Sequence, residues 1–457
     1  MEKIAIVGAG LCGSLLSLYL AERGYQISVY EKRPDMRKAE VERGRSINLA
    51  ISRRGVFALE KLNLWDAIRS KATPMYARMI HNLNASPVKQ FYGPQEDEHI
   101  DALSRGDLNI DLLNFMDRHK NINIKFNQRV TDIDLDSACM TIFDEEEKES
   151  YRSCADVILA TDGGPSIIRQ KMIEAGVAQF STEYLSHGYK ELVLDSQSAK
   201  ALDPNCLHIW PRDNFMLIAL PNFAGSFTCT LFLSLQDQEL SFNTLKTLAQ
   251  IKNFFEQYFP DVYASIPDLL DQFLSNPVGE LATLRGEPWH YKDKVLLLGD
   301  AAHAIVPFFG QGMNCAFEDC TVFDDLLEEG INNCGTLFSA FFHRRKKNTD
   351  AIAKMAIDNF YEMRSDTGKE KFILYKEVEK ALMKRYGDQY VSRYVMISFR
   401  RDDYKLAEVA GALQHEFLVK ICRKVLKAED LNWDLVETEL SLYRQTLERE
   451  KLIHNLC

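Results

Sequence analysis

The spacing of apolar positions changes several times along the chain, and each change marks an element. Ile4-Ala5-Ile6-Val7 is a short continuous apolar run and predicts a buried strand. Ser14 to Ala21 then predicts a helix, and Ile27-Ser28-Val29-Tyr30 a second strand that ends at Glu31. Residues 76–80 and 88–92 predict paired strands around a Pro-containing turn. Ser104 opens an amphipathic helix through Leu112, Leu113, Phe115 and Met116. Residues 122–145 alternate like short strands, and Asp156 to Ala160 is another buried one.

From about residue 176 to 280 the pattern becomes sheet-like. His208 to Trp210, Phe215 to Leu220 and Phe227 to Leu233 predict strands, with 221–225 as a hairpin loop. By period two, Met216, Ile218 and Leu220 share one face, as do Thr228, Thr230 and Phe232. Val295 to Leu298 predicts a last buried strand, ended by Gly299-Asp300, with a helical pattern from Cys315. The final hundred or so residues are charged and helix-periodic, and Phe417, Ile421 and Val425 form one stripe. No proline follows Pro307.

Three of the strands end in glycine-bearing loops. Gly8-Ala9-Gly10-Leu11-Cys12-Gly13 between strand and helix, with Glu31 at the end of the next strand, is a dinucleotide fingerprint. Gly8, Gly10 and Gly13 serve the tight turn, the approach of a pyrophosphate and helix packing, and Glu31 suits a ribose with a free 2′-hydroxyl. Thr161-Asp162-Gly163-Gly164-Pro165-Ser166 reads either as a second ribose or phosphate loop through Asp162, or as a turn with Ser166 as a helix cap. Asp300 can accept from a sugar hydroxyl, and Gly310 and Gly312 bracket Gln311 just before a helix start. One cofactor held from both ends of the chain suits FAD. A nicotinamide cofactor has no second fingerprint here and would bind transiently. Arg43 to Ala50 is a polar loop able to wrap a cofactor or to lie idle on the surface. Locally, Arg78 reads as an edge-strand charge facing solvent.

Composition narrows the partners. The 457 residues allow several domains, and a net charge of -11 argues against nucleic acid or an anionic membrane surface. No apolar run approaches the ~18 residues of a membrane span, and the fingerprint begins too near Met1 for a signal peptide. The ten cysteines are scattered, with no CxxC and no metal-like cluster. They read as reduced thiols of a cytoplasmic protein, with Cys315 and Cys320 too isolated to hold a metal.

These residues carry a resemblance. The 8–13 fingerprint, Thr161-Asp162-Gly163, and Gly299 to His303 with Pro307 resemble the three motifs of the p-hydroxybenzoate hydroxylase-like flavoprotein aromatic hydroxylases. Within that group, residues 44–50, 187–192, 207–211 and 307–314 resemble the kynurenine 3-monooxygenase family. Thr161 stands where the group usually has Ala, and Phe309 where some bacterial members have His. The resemblance implies an α/β fold: a Rossmann-like FAD-binding domain, a β-sheet substrate domain and a helical C-terminal region. The segments would be 1–175 and 281–350 for FAD, 176–280 for the substrate sheet, and 351–457 as a helical cap.

It further implies that NADPH reduces FAD, that O2 adds at the flavin, and that the C4a-hydroperoxide hydroxylates L-kynurenine to 3-hydroxykynurenine. Arg78 and Tyr92 match the family's carboxylate pair, which overturns the solvent-facing reading of Arg78. Asn359 and Tyr394 match further substrate-side positions, and Met216, Leu220, Phe232, Leu103, Pro307 and Phe308 the pocket wall. Flavin contacts would be Gly8, Gly10, Gly13, Glu31, Arg45, Arg105, Asp162, Asp300, Gln311, Gly312, Met313 and Asn314. No metal is implied, and a homodimer stays open. A hydroxylase of another aromatic acid, a flavin dehydrogenase or reductase, and a non-catalytic nucleotide-binding protein are the competing readings.

Overall fold

The computed structural model describes residues 3–38, 48–95, 97–237 and 239–454. The chain forms two compact units. The first comprises residues 1–71, 103–184 and 282–353; the second comprises 72–102, 185–281 and 354–457.

The first unit is built on a six-stranded sheet. Its strand order is His290–Tyr291, Val295–Leu297, Val157–Ala160, Lys3–Val7, Gln26–Tyr30 and Ile122–Lys125. All neighbours are parallel except the first pair. Ile4 lies opposite Val157 on one side and Ile27 on the other. The apolar runs are buried on both faces, as central strands of a parallel sheet must be. The helix Leu11–Glu22 is also buried along nearly its whole surface. The helix Arg105–Met116 begins where the sequence places it, with Ser104 accepting from the Asp107 amide. The helix expected from Cys315 starts earlier, at Gly312, and runs to Glu328.

A three-stranded antiparallel sheet, Gln128–Asp134, Cys139–Asp144 and Ser150–Cys154, also belongs to this unit. Its register sets Cys139 opposite Cys154, and the two form a disulfide. That corrects the reading of all ten cysteines as reduced: strand register brings together two thiols whose sequence spacing carried no such signal.

The second unit contains most of a seven-stranded sheet. Its order is Gly279–Glu287, Gln179–Leu194, Phe227–Ser234, Phe215–Pro221, Cys206–Arg212, Ala77–Ile80 and Val88–Phe91. Phe215, Leu217, Ala219, Cys229 and Leu231 pack with Ile251, Phe254, Phe255 and Phe273 from the helices between residues 248 and 275. The opposite face therefore carries Met216, Ile218 and Leu220, with Phe232 directly across from Met216. Arg78 pairs with Leu207 on this same face. Its strand is flanked on both sides, so Arg78 is not on an edge. The helices Glu370–Tyr386, Tyr404–Ile421 and Trp433–His454 share a separate apolar core. Phe417 and Ile421 belong to it; Val425 lies beyond the helix end and packs against it from a turn.

Candidate cofactor and substrate sites

In the first unit the glycine loop is shaped from several directions. Gly8 has φ 98, and a Cβ there would lie 2.7 Å from the Thr161 carbonyl oxygen. A Cβ on Gly13 would lie 2.0 Å from the Gly8 oxygen and 2.4 Å from Thr161 Oγ1. Thr161 Oγ1 itself donates to the Val7 or Gly8 carbonyl, each at 3.0 Å. The family's usual Ala at this place is thus exchanged for a hydroxyl that ties the third strand to the first loop. Above Gly10 a Cβ would meet nothing within 4 Å. Gly10 caps a 12-residue helix with no side-chain cap and no acid in its first turn. Open space at an uncapped helix N-terminus fits the pyrophosphate of a dinucleotide.

Glu31 is buried and accepts from the Ala9 amide at 2.8 Å, while Arg33 pairs with it at 2.8 Å. Burial raises the Glu31 carboxyl, but the Arg33 guanidinium and the amides of Arg33 and Ala9 outweigh it and hold the group below its usual value. Sequence reasoning missed two helpers here. Arg33 pairs with Glu31, and Asn109 donates to the Ala9 carbonyl at 3.1 Å from the helix that begins with the exposed Arg105.

Asp162 divides its carboxylate between two tasks. Oδ2 accepts from the Ile167 amide at 2.9 Å, while Oδ1 is buried with no hydrogen-bond partner among the described residues. A buried lone oxygen fits a sugar hydroxyl. Ser166 accepts from the Arg169 amide, so the capping reading of this loop is met, and the Asp162 oxygen stays a candidate acceptor beside it. Arg169 donates to the Ala301 carbonyl at 2.8 Å, linking this loop to the one that follows Gly299.

Gly299 has φ 58 and ψ -142, and the exposed Asp300 begins the short helix Asp300–His303. Gln311, Gly312 and Met313 lie at the start of the 17-residue helix, which also lacks a side-chain cap. The Asn314 side chain is turned inward: it donates to the Ala50 and Gly310 carbonyls at 2.9 and 2.8 Å and accepts from the Ser52 amide at 2.9 Å. Arg45, with residues 43–47 of its loop, lies outside the described residues. Leu103 and Phe308 are buried and Pro307 is exposed, all in this first unit.

Cys315 is less isolated than its spacing implies. With His303 and Asp319 it forms a buried trio whose ligand atoms lie within 4.8 Å of one another. A cation is already present there: Arg345 sits 2.7 Å from Asp319 and 3.2 Å from the Cys315 sulfur.

The second unit holds the other constellation. The Arg78 guanidinium lies 4.9 Å from the centre of the Tyr394 ring and 5.7 Å from that of Tyr92. The two rings stack at 5.2 Å with planes 10° apart. Arg78 Nε and Tyr92 Oη are both buried and have no hydrogen-bond partner among the described residues. Burial, with Tyr394 beside it, holds the Tyr92 phenol well above its usual value, so it is a donor at neutral pH. Two inward donors without an acceptor fit a carboxylate. Asn359 is buried and donates to Met363 Sδ at 3.2 Å, just before a π-helical turn, Glu362–Asp366. Glu362 faces Arg393 at 3.5 Å and acts electrostatically on Arg78; neither Glu362 nor Arg393 stood out in the sequence.

Residues 1–335 match the family model described as FAD binding domain. The fold resembles 2-methyl-3-hydroxypyridine-5-carboxylic acid oxygenase, with a TM-score of 0.65 at 17% identity over 83% of this chain and 97% of that one. It also resembles p-nitrophenol 4-monooxygenase from Pseudomonas putida DLL-E4, with a TM-score of 0.64 at 18% identity over 92% and 98%. This is the fold of FAD-dependent aromatic oxygenases.

Sequence relatives narrow the class. The chain is 43% identical to kynurenine 3-monooxygenase of Legionella pneumophila (strain Lens) over 98% of its own length and 100% of the relative's. It is 46% identical to that of Myxococcus xanthus over 94% and 93%, and 40% identical to that of Dictyostelium discoideum over 98% of each chain. The chain belongs to the kynurenine 3-monooxygenase family.

Proposed function

We propose that this protein uses NADPH and O2 to hydroxylate L-kynurenine to 3-hydroxykynurenine with FAD as its cofactor. The observation that carries the reading is the pair of buried donors without a hydrogen-bond partner among the described residues, Arg78 Nε on the sheet of the second unit and Tyr92 Oη just past the end of the strand Val88–Phe91. An amino acid with an aromatic ring supplies the missing acceptor as its carboxylate. Leaving such donors unmet costs about 1–3 kcal/mol each, so they are unusual without a ligand to meet them.

FAD would be held by the loop at Gly8, Gly10 and Gly13, by Glu31, Arg105, Asp162 and Asp300, and by the helix start at Gln311, Gly312 and Met313. When bound and reduced by NADPH, it supplies the oxygen-activating chemistry. The chain itself binds and orients. Arg78 and Tyr92 hold the substrate carboxylate, with Tyr394 stacked beside them. Met216, Leu220 and Phe232 give the ring an apolar wall and keep water from it. Asn359 is a further polar contact. No base strong enough to ionise a phenol is required, because the aryl amine of kynurenine already enriches its ring. Among the described residues no helix is long and apolar enough to cross a membrane.

The test is NADPH consumption by the purified FAD-loaded protein in air, with and without L-kynurenine, with the product followed by mass. Kynurenine-dependent consumption with 3-hydroxykynurenine formed in step is expected. No response to kynurenine, but product from another aromatic acid, would replace the substrate. Turnover only with an artificial electron acceptor would replace the reaction by that of a dehydrogenase.

A further inference from the structure

We infer that Asp319 is a positioning residue for the flavin site, fixing the Gly299–Asp300 turn through a single carboxylate oxygen. The inference rests on the reading above, in which Asp300 faces FAD. Asp319 Oδ2 accepts from the Gly299 amide at 2.8 Å and from His303 Nε2 at 2.6 Å. Gly299 precedes the short helix and His303 ends it, so one oxygen pins both ends of the segment that begins with Asp300. Gly299 adopts a combination of φ and ψ that essentially only glycine tolerates. Glycine also has more alternatives than any other residue, so this turn needs an outside hold.

The turn is closely backed. A Cβ on Gly299 would lie 3.1 Å from the Cys12 sulfur and 3.4 Å from the Ala316 Cβ. Cys12 lies in the first turn of the helix that follows the glycine loop, so a drift at Gly299 would press on that helix start as well.

The remaining partners of Asp319 keep it charged and still. Oδ1 accepts from Arg345 Nε at 2.7 Å. Arg345 also reaches Glu318 Oε2 at 2.5 Å and the Cys315 carbonyl at 3.1 Å, and Glu318 Oε1 accepts from Arg54 at 2.9 Å. Asp319 is 0% exposed, Arg54 1%, Arg345 2%, His303 5% and Glu318 9%. Burial opposes a charge on His303, yet Asp319 raises its pKa to about 10. Buried ion networks are seldom more stable than well-packed apolar side chains. What this one adds is direction: it fixes where a backbone amide and the residue after it stand.

The experiment compares Asp319→Asn, His303→Gln and Glu318→Gln with the unaltered protein. FAD is titrated into each deflavinated protein and binding is read by flavin fluorescence; the melting temperature is measured alongside. Asp319→Asn is expected to weaken FAD binding about tenfold, the scale of one charge-assisted hydrogen bond, and His303→Gln to weaken it in the same direction. Glu318→Gln breaks the network on the side away from the turn. It should lower the melting temperature and leave FAD affinity unchanged. Equal loss of FAD affinity in Asp319→Asn and Glu318→Gln would overturn the assignment, because the network would then act only through general stability. Unchanged affinity in both Asp319→Asn and His303→Gln would overturn it too. If Asp319→Asn does not fold, His303→Gln against Glu318→Gln decides alone. Failure of the unaltered protein to bind FAD would remove the functional reading itself, and this one with it.

Discussion

Arg78 and Tyr394 come from distant parts of the chain, yet the guanidinium lies 4.9 Å from the centre of the phenol ring. The ring covers the cation while leaving Nε without a hydrogen-bond partner among the described residues. The arginine is thus buried by an aromatic face rather than neutralised by an acid at hydrogen-bonding distance. That leaves its donor available to a ligand.

Arg78→Ala should weaken L-kynurenine binding by about 1.5–3 kcal/mol, the range for a hydrogen bond to a charged group. FAD should stay bound, since Arg78 belongs to the second unit. Substrate titration of the FAD-loaded variant tests this; an unchanged dissociation constant would remove Arg78 from the site.

Tyr92→Phe keeps the ring that stacks on Tyr394 and removes only the orphan hydroxyl. Substrate binding should weaken by about 1.5–3 kcal/mol, since this hydroxyl also meets the charged carboxylate, with the melting temperature equal to or above that of the parent. A clear fall in melting temperature with unchanged substrate affinity would make this phenol a structural group.

Gly13→Ala and Gly10→Ala should fail in different ways. At Gly13 the added methyl would meet backbone and a hydroxyl at 2.0 and 2.4 Å, so stability should drop by about 1–3 kcal/mol. At Gly10 it meets nothing within 4 Å, so the fold should survive while FAD affinity falls, because the methyl stands where the pyrophosphate would lie. Thermal melts with FAD titrations separate the two. Retained FAD affinity in Gly10→Ala would move the pyrophosphate elsewhere.

Stability should also fall in mild acid through a histidine pair. His208 Nε2 meets the Asp203 carbonyl at 2.9 Å and so must donate. Neutral His208 then accepts at Nδ1 from His81 Nε2, at 2.8 Å. Burial, with His208 beside it, lowers the His81 pKa from 6.5 to about 4. Between these values the unfolded chain takes up a proton that the folded one refuses. The contribution is full above pH 6.5, shrinks as the pH falls towards about 4, and is gone below that. Urea midpoints across this range should decline less in His81→Gln than in the parent; parallel curves would clear His81 of the effect.

The sequence was most legible where a local rule determines the structure. The strands ending at Val7, Tyr30 and Ala160 follow from apolar runs, and the loop at Gly8 from glycine spacing. Arg78 misled a local reading because its burial depends on Tyr394 and Tyr92, which no periodicity links to it; only the family resemblance pointed to it as a candidate for the site. Glu318 and Asp319 look like ordinary surface acids until Arg345 and Arg54 arrive from elsewhere in the chain. The pairing of Cys139 with Cys154 depends on strand register rather than on spacing. Arg33 and Asn109 were invisible for a similar reason: each meets the glycine loop or Glu31 through a contact set by the folded chain.

The strand order of the first unit also constrains how the protein can be made. Lys3–Val7 leaves the ribosome before its two neighbours but stands between Gln26–Tyr30 and Val157–Ala160, and Val295–Leu297 joins later still. Asp319 cannot meet Arg345 until that arginine has been translated. Parallel strands closed over such distances form slowly and expose apolar edges while they wait. The nascent chain would therefore carry an unfinished nucleotide site until Arg345 has emerged, and cofactor capture would follow that point.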